Sequence, residues 1–98
     1  MRKEFSMKQV KAFILTGCPY CKKARLAYNE LCENNASYRE VPVDWILEDQ
    51  QPDIADQYDY YYTPTMYVDE QKVYESHPGQ TYEEIRDEVE KVLKVALT

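Results

Sequence analysis

The apolar residues of this chain recur with two different periods along its length, and the changes of period mark out the elements. From Lys8 to Leu15 the run Val10, Ala12, Phe13, Ile14 and Leu15 predicts a first strand, closed by the turn pair Thr16-Gly17. From Pro19 to Asn34 the spacing is helical. Ala24, Ala27, Tyr28 and Leu31 share one face, and Lys22, Lys23, Arg25 and Glu30 fall mostly elsewhere. Pro19 suits a first helical position, where its missing N–H would have no partner anyway. Asn34-Asn35 ends the helix.

Alternation around Tyr38, Val41 and Val43 predicts a second strand over Ser37 to Val43, with Pro42 making it an edge or a strand end. An acidic stretch containing Trp45, Ile46 and Leu47 follows. A short helix is then expected from about Pro52 to Tyr58, with Ile54, Ala55 and Tyr58 inward. Thr65 to Val68 is a third strand, Asp69-Glu70-Gln71 a turn, and Lys72 to Glu75 a fourth strand. Thr81-Tyr82-Glu83-Glu84 has the capping-box pattern, and Ile85, Val89, Val92, Leu93 and Ala96 continue it as an apolar helical stripe. The predicted order is βαβαββα. It implies an α/β fold in which a four-stranded mixed sheet is flanked by helices.

Ninety-eight residues suit a single domain, 1–98, with one core. Twelve Lys and Arg against 18 Asp and Glu leave a net charge of −6, which argues against nucleic acid or an anionic membrane as partners. The charged start Met1-Arg2-Lys3-Glu4 is followed by no apolar leader segment, and no stretch is long enough to span a bilayer. Three cysteines do not make a disulfide scaffold, so the expected setting is reducing and cytoplasmic.

Two of those cysteines form Cys18-Pro19-Tyr20-Cys21. With a strand before it and a helix beginning at Pro19, Cys18 sits at a helix N-terminus, where unpaired N–H groups and the dipole favour a thiolate. Cys21, one turn on, is within reach to attack a mixed disulfide formed at Cys18. A zinc site would need a second ligand pair, and only Cys32 and His77 remain, neither suitably spaced. Cys32 lies eleven residues past Cys21 on the same helix, roughly 16 Å away, too far for a disulfide. It reads as a packing residue, and His77 as a surface residue on a turn.

The element order with C-x-x-C at the first strand–helix turn resembles the thioredoxin superfamily, and Cys18-Pro19-Tyr20-Cys21 matches the dithiol motif of glutaredoxins. The resemblance covers nearly the whole chain. It implies a thioredoxin-like fold, with Cys18 as nucleophile and Cys21 as resolving thiol. It also implies a cis peptide bond at Thr63-Pro64, facing Cys18 and offering the backbone of Thr63 to an extended substrate. Tyr20, Tyr62, Thr63, Pro64, Thr81 and Tyr82 are the residues that would meet that substrate. Tyr20 stands exposed between the cysteines, Tyr62 belongs to an aromatic stretch before Pro64, and Thr81-Tyr82 form a helix N-terminus able to take a carboxylate.

The chain also departs from its relatives. Leu15 stands where dithiol glutaredoxins usually carry a lysine, Tyr60-Tyr61-Tyr62 where a basic residue often precedes the cis-proline, and His77-Pro78-Gly79-Gln80-Thr81 replaces a glycine-pair and acidic motif. Thioredoxin's buried aspartate has Ala12 in its place. Of the nearby cations, Lys22 and Lys23 are the ones expected to serve the thiolate.

The function implied is a thiol–disulfide oxidoreductase acting on protein or low-molecular-weight disulfides. It would need no metal or organic cofactor. Its electrons would come from a thiol or a flavoprotein reductant, with glutathione as one candidate co-substrate and a thioredoxin reductase as the other. Two further readings of the same fold stay open: a module bridging a metal or iron–sulfur cluster between subunits, and a redox-sensing adaptor without turnover.

Overall fold

The computed structural model describes residues 8–98, so the charged start Met1-Arg2-Lys3-Glu4 lies outside the described residues. Its elements are β1 (Val10–Ile14), α1 (Pro19–Asn34), α2 (Ala36–Arg39), β2 (Val43–Leu47), α3 (Pro52–Ala55), β3 (Thr65–Val68), β4 (Gln71–Glu75) and α4 (Tyr82–Ala96). The strands form one mixed sheet in the order β2-β1-β3-β4. β1 runs parallel to β2 and antiparallel to β3, and β3 and β4 form an antiparallel hairpin.

Alternation along the central strands assigns the two faces. Val10 and Ala12 of β1, Met66 and Val68 of β3, and Tyr74 of β4 join the main core under α1 and α4. That core takes Ala24 and Cys32 from α1, and Ile85, Val89, Val92, Leu93 and Ala96 from α4. The opposite face carries a smaller cluster of Phe13, Ile46, Ala55 and Tyr67, packed by Ile54, Tyr58 and Tyr60. Phe13 is its centre, with ring centroids 4.8 Å from Tyr58, 5.3 Å from Tyr60 and 5.9 Å from Tyr67. Two of the tyrosines before Pro64 are therefore packing residues. Tyr61 is 89% exposed and Tyr62 is half exposed.

The expected strand over Ser37 to Val43 is corrected. Asn35 caps a single helical turn instead, its side chain accepting the Ser37 N–H at 2.9 Å. Tyr38 and Val41 are both buried, and their three-residue spacing puts them on one side of a helical turn, whereas a strand would turn them to opposite faces. Tyr38 is anchored further by donating to Glu90 at 2.8 Å. The strand begins only at Val43 and uses Trp45, Ile46 and Leu47, the residues the sequence reading set aside as an acidic stretch. Pro42 just precedes it, with its carbonyl accepting the Val10 N–H. The short helix after Pro52 ends at Ala55 rather than at Tyr58.

The remaining elements fall where periodicity placed them. α1 spans Pro19–Asn34 and β3 spans Thr65–Val68. The hairpin turn is Asp69-Glu70, both with positive φ, the two-residue geometry whose twist matches the strands it joins. The capping box of α4 is complete: Thr81 accepts the Glu84 N–H and Glu84 accepts the Thr81 N–H. Among the described residues no helix is long and apolar enough to cross a membrane.

Candidate active site

β1 delivers the chain to its carboxyl end, and Gly17 at φ +79° turns it into α1 with Pro19 in the first turn. Cys18 is the N-cap of α1. Its sulfur accepts the Cys21 N–H at 3.1 Å, so a thiol occupies the place usually held by a capping oxygen. Thr63 completes the surroundings, with its hydroxyl 3.6 Å and its carbonyl oxygen 3.7 Å from the Cys18 sulfur. The Thr63-Pro64 bond is cis, as the resemblance implied.

The two cysteines differ in environment. Cys18 is half-buried and lines an open groove, whereas Cys21 is 4% exposed on the inner face of the helix. Burial, reinforced by the contact with Cys18, pushes the Cys21 thiol up to about 12, so it is neutral near pH 7. Cys32 is buried in the main core.

Thr63 and Pro64 stand at the thiol, and Tyr62 is beside them in the chain. Thr65 ties the turn by donating its hydroxyl to the Tyr62 carbonyl. Tyr20 is half-buried rather than projecting freely: its hydroxyl accepts the Gly79 N–H at 2.8 Å. Thr81 is occupied by its capping box, and Tyr82 donates to Glu30 of α1 at 2.7 Å. Tyr82 therefore also ties α4 to α1. His77 is exposed on the turn after β4, where it was expected.

Three groups outside the expected site residues shape the site. Glu75 at the end of β4 accepts the N–H groups of Tyr61 and Tyr62 at 2.6 and 2.9 Å, and its other oxygen takes Lys72 at 2.7 Å. Burial works against its ionisation, but Lys72 and the two N–H groups outweigh it and hold the carboxyl below its ordinary range. Beneath the sheet end, the buried Gln80 carbonyl oxygen accepts the hydroxyls of Tyr74 at 2.7 Å and Ser76 at 2.8 Å. The Ser76 N–H meets the Pro64 carbonyl. Glu75 closes a contact 14 residues back along the chain, which no local pattern announces.

The third group is Arg25. The groove beside Cys18, about 430 Å³, is lined by Ile14, Leu15, Pro19, Lys22 and Arg25 among others. Basic side chains thus occupy the neighbourhood of Leu15, but they come from α1. Lys22 and Arg25 follow Cys18 by four and seven residues, which puts all three on one helix face. That spacing was available in the sequence. Lys23 points elsewhere, its ammonium 5.8 Å from the Tyr20 ring centroid.

The fold has counterparts among known proteins. The family model described as glutathione S-transferase, N-terminal domain, matches residues 13–78, more than half of the chain. No curated protein matches in sequence. Among solved structures, a malarial protein aligns with a TM-score of 0.61 at 12% identity, over 90% of this chain and 99% of that one. The reduced thioredoxin pre-protein of Schistosoma mansoni aligns at 0.60 and 21% identity, over 91% and 82%. Trxlp from Edwardsiella tarda aligns at 0.59 and 19% identity, over 84% and 81%. These likenesses show a thioredoxin-like fold, and here that fold carries a cysteine pair at the mouth of its first helix. The chain thus has a thioredoxin-like fold and belongs to the glutathione S-transferase N-terminal domain family.

Proposed function

We propose that this protein is a thiol–disulfide oxidoreductase that reduces disulfides with the Cys18–Cys21 pair. The observation carrying this reading is the division between the two sulfurs. Cys18 is accessible, at a helix N-terminus and amid hydrogen-bond donors, while Cys21 lies buried one turn on and stays protonated. The first is placed to attack and the second to wait.

The Cys18 thiolate attacks one sulfur of the substrate disulfide. A new S–S bond forms, the old one breaks, and the distal sulfur leaves as a thiolate. Cys21 then attacks Cys18. Its proton passes to the departing product, so the pair ends as a disulfide and the substrate as one thiol and one thiolate, the latter taking its proton from solvent. Two electrons have moved, and the reaction as written uses the two thiols alone. Ala12 offers no carboxylate in the adjacent strand, and the product thiolate is the proton acceptor that replaces one.

For recycling we favour a flavoprotein reductant of the thioredoxin-reductase kind over glutathione. Supporting this, several amides near Pro64 and before α4 that an anionic tripeptide could use already have internal partners: Glu75 for Tyr61 and Tyr62, and Tyr20 for Gly79. We place this chemistry in the cytoplasm, where a reducing environment recharges such a pair.

The test is turnover of 2-hydroxyethyl disulfide with each reductant in turn. Cys18→Ser is expected to abolish turnover, and Cys21→Ser to accumulate a mixed disulfide visible by mass spectrometry. Turnover that persists without Cys18 would sink the mechanism. A pair that exchanges with neither reductant would favour the adaptor reading.

A further inference from the structure

The surroundings of Cys18 are electrically lopsided. On the side of Pro64, the N–H groups of Tyr61, Tyr62, Gly79 and Thr81 are met by the chain's own groups, two of them the carboxylates Glu75 and Glu84. The cation there, Lys72, is paired with Glu75. On the side of α1, Lys22 and Arg25 are exposed, and among the described residues neither forms an ion pair. Their groove is floored by apolar side chains, Ile14, Leu15 and Pro19, with Leu15 38% exposed.

Arg25 is also held in position. Its guanidinium lies 4.6 Å from the Trp45 ring centroid, and Trp45 is braced in turn by Tyr28 at 5.4 Å. The acidic groups behind the groove are engaged, Asp49 by the Thr16 N–H and Glu48 by the Tyr60 hydroxyl. In a chain of net charge −6, two cations beside the nucleophile and over an apolar floor, without an ion pair among the described residues, are complementary to one kind of ligand.

We propose that this groove docks the substrate as an extended protein segment, with an apolar residue next to its disulfide cysteine and a carboxylate about three residues away. Building on the dithiol reading above, it names the substrate class. The spacing follows from the helix. Arg25 is seven residues past Cys18, roughly 10 Å along the axis at about 1.5 Å per residue. An extended peptide covers roughly that length in three residues. The apolar side chain rests on Leu15 and Pro19, the carboxylate meets Lys22 and Arg25, and the peptide sulfur is presented to Cys18. Exchange then proceeds as above: the peptide S–S bond breaks as the Cys18–peptide bond forms, and Cys21 releases the peptide as a thiol.

The experiment uses the reduced full chain and end-blocked peptides whose single cysteine is disulfide-bonded to 2-mercaptoethanol. Leucine adjoins the cysteine, and the third residue away is Glu, Gln or Lys. The expected rate of Cys18–Cys21 oxidation is roughly fivefold higher for the Glu than for the Gln peptide. The preference should collapse in about 0.5 M salt and turn toward the Lys peptide in the double variant Lys22→Glu, Arg25→Glu. Equal rates for the Glu and Gln peptides would overturn the groove, as would glutathione disulfide reacting faster than the Glu peptide. Wild-type oxidation by 2-hydroxyethyl disulfide separates the two levels. If it is normal while the peptides are not discriminated, only the docking proposal fails; if it is absent, the dithiol reading fails with it.

Discussion

Cys18 stands between two flanks of opposite construction. The flank at Pro64 is built in: the loop before β3 is clasped by Glu75, the turn before α4 by Tyr20, and the sheet end by buried hydroxyls converging on Gln80. The flank on α1 is left open, an apolar groove rimmed by exposed Lys22 and Arg25. Polar groups that meet inside the protein fix geometry. Polar groups left at the surface beside an apolar floor are available to a partner. One flank holds the thiol in place, and the other gives it a choice of partner.

Variants on the built-in flank should therefore cost stability first. The largest effect is expected from Gln80→Leu, which leaves the buried hydroxyls of Tyr74 and Ser76 without their acceptor. A loss of about 3 kcal/mol in unfolding free energy by urea denaturation would fit two unsatisfied buried donors. A loss below about 0.5 kcal/mol would show that the cluster is not structural.

Next is Glu75→Ala, with an expected loss of about 1.5 kcal/mol, since water can reach the freed N–H groups of Tyr61 and Tyr62. The pH dependence checks its cause. The Glu75 carboxyl is depressed in the fold from its ordinary 4.5, so its contribution is present above that value and lost as pH falls below it. The stability gap between wild type and Glu75→Gln should stay constant around neutral pH and close below about 4.5. A gap that persists in acid would mean that the clasp does not depend on charge.

The smallest effect on stability belongs to the open flank. Arg25→Ala removes only the exposed stacking on Trp45, with an expected loss of about 0.5 kcal/mol. A loss as large as that of Glu75→Ala would erase the contrast and make Arg25 part of the scaffold.

How much of this was legible beforehand varies with the range of the contact. The helices with strong periodicity, the hairpin, the C-x-x-C pair and Thr63-Pro64 are all set by neighbours within a few residues. α1, β3 and the α4 capping box accordingly lie where the pattern put them. Val41 and Val43 misled because they alternate like a strand, while the three-residue spacing of Tyr38 and Val41 is that of the turn, which the contact of Tyr38 with Glu90 accompanies. β2 was missed because its alternation is broken by charge and becomes meaningful only beside β1, where Trp45 faces Ala12 and Ile46 faces Phe13.

The amino-acid sequence by itself determined the chemistry and the frame. Two thiols three residues apart, a proline opening the helix and a second proline before β3 suffice for a thioredoxin-like dithiol site, because each is a local choice. Tertiary structure alone decided the surroundings. It brought Glu75 to Tyr61 and Tyr62, Tyr20 to Gly79, and Arg25 to Trp45, contacts 13 to 59 residues apart in the chain. Hydrogen bonds and charges act through distance in space, so which donors remain free around Cys18 is settled only when the sheet and helices have closed.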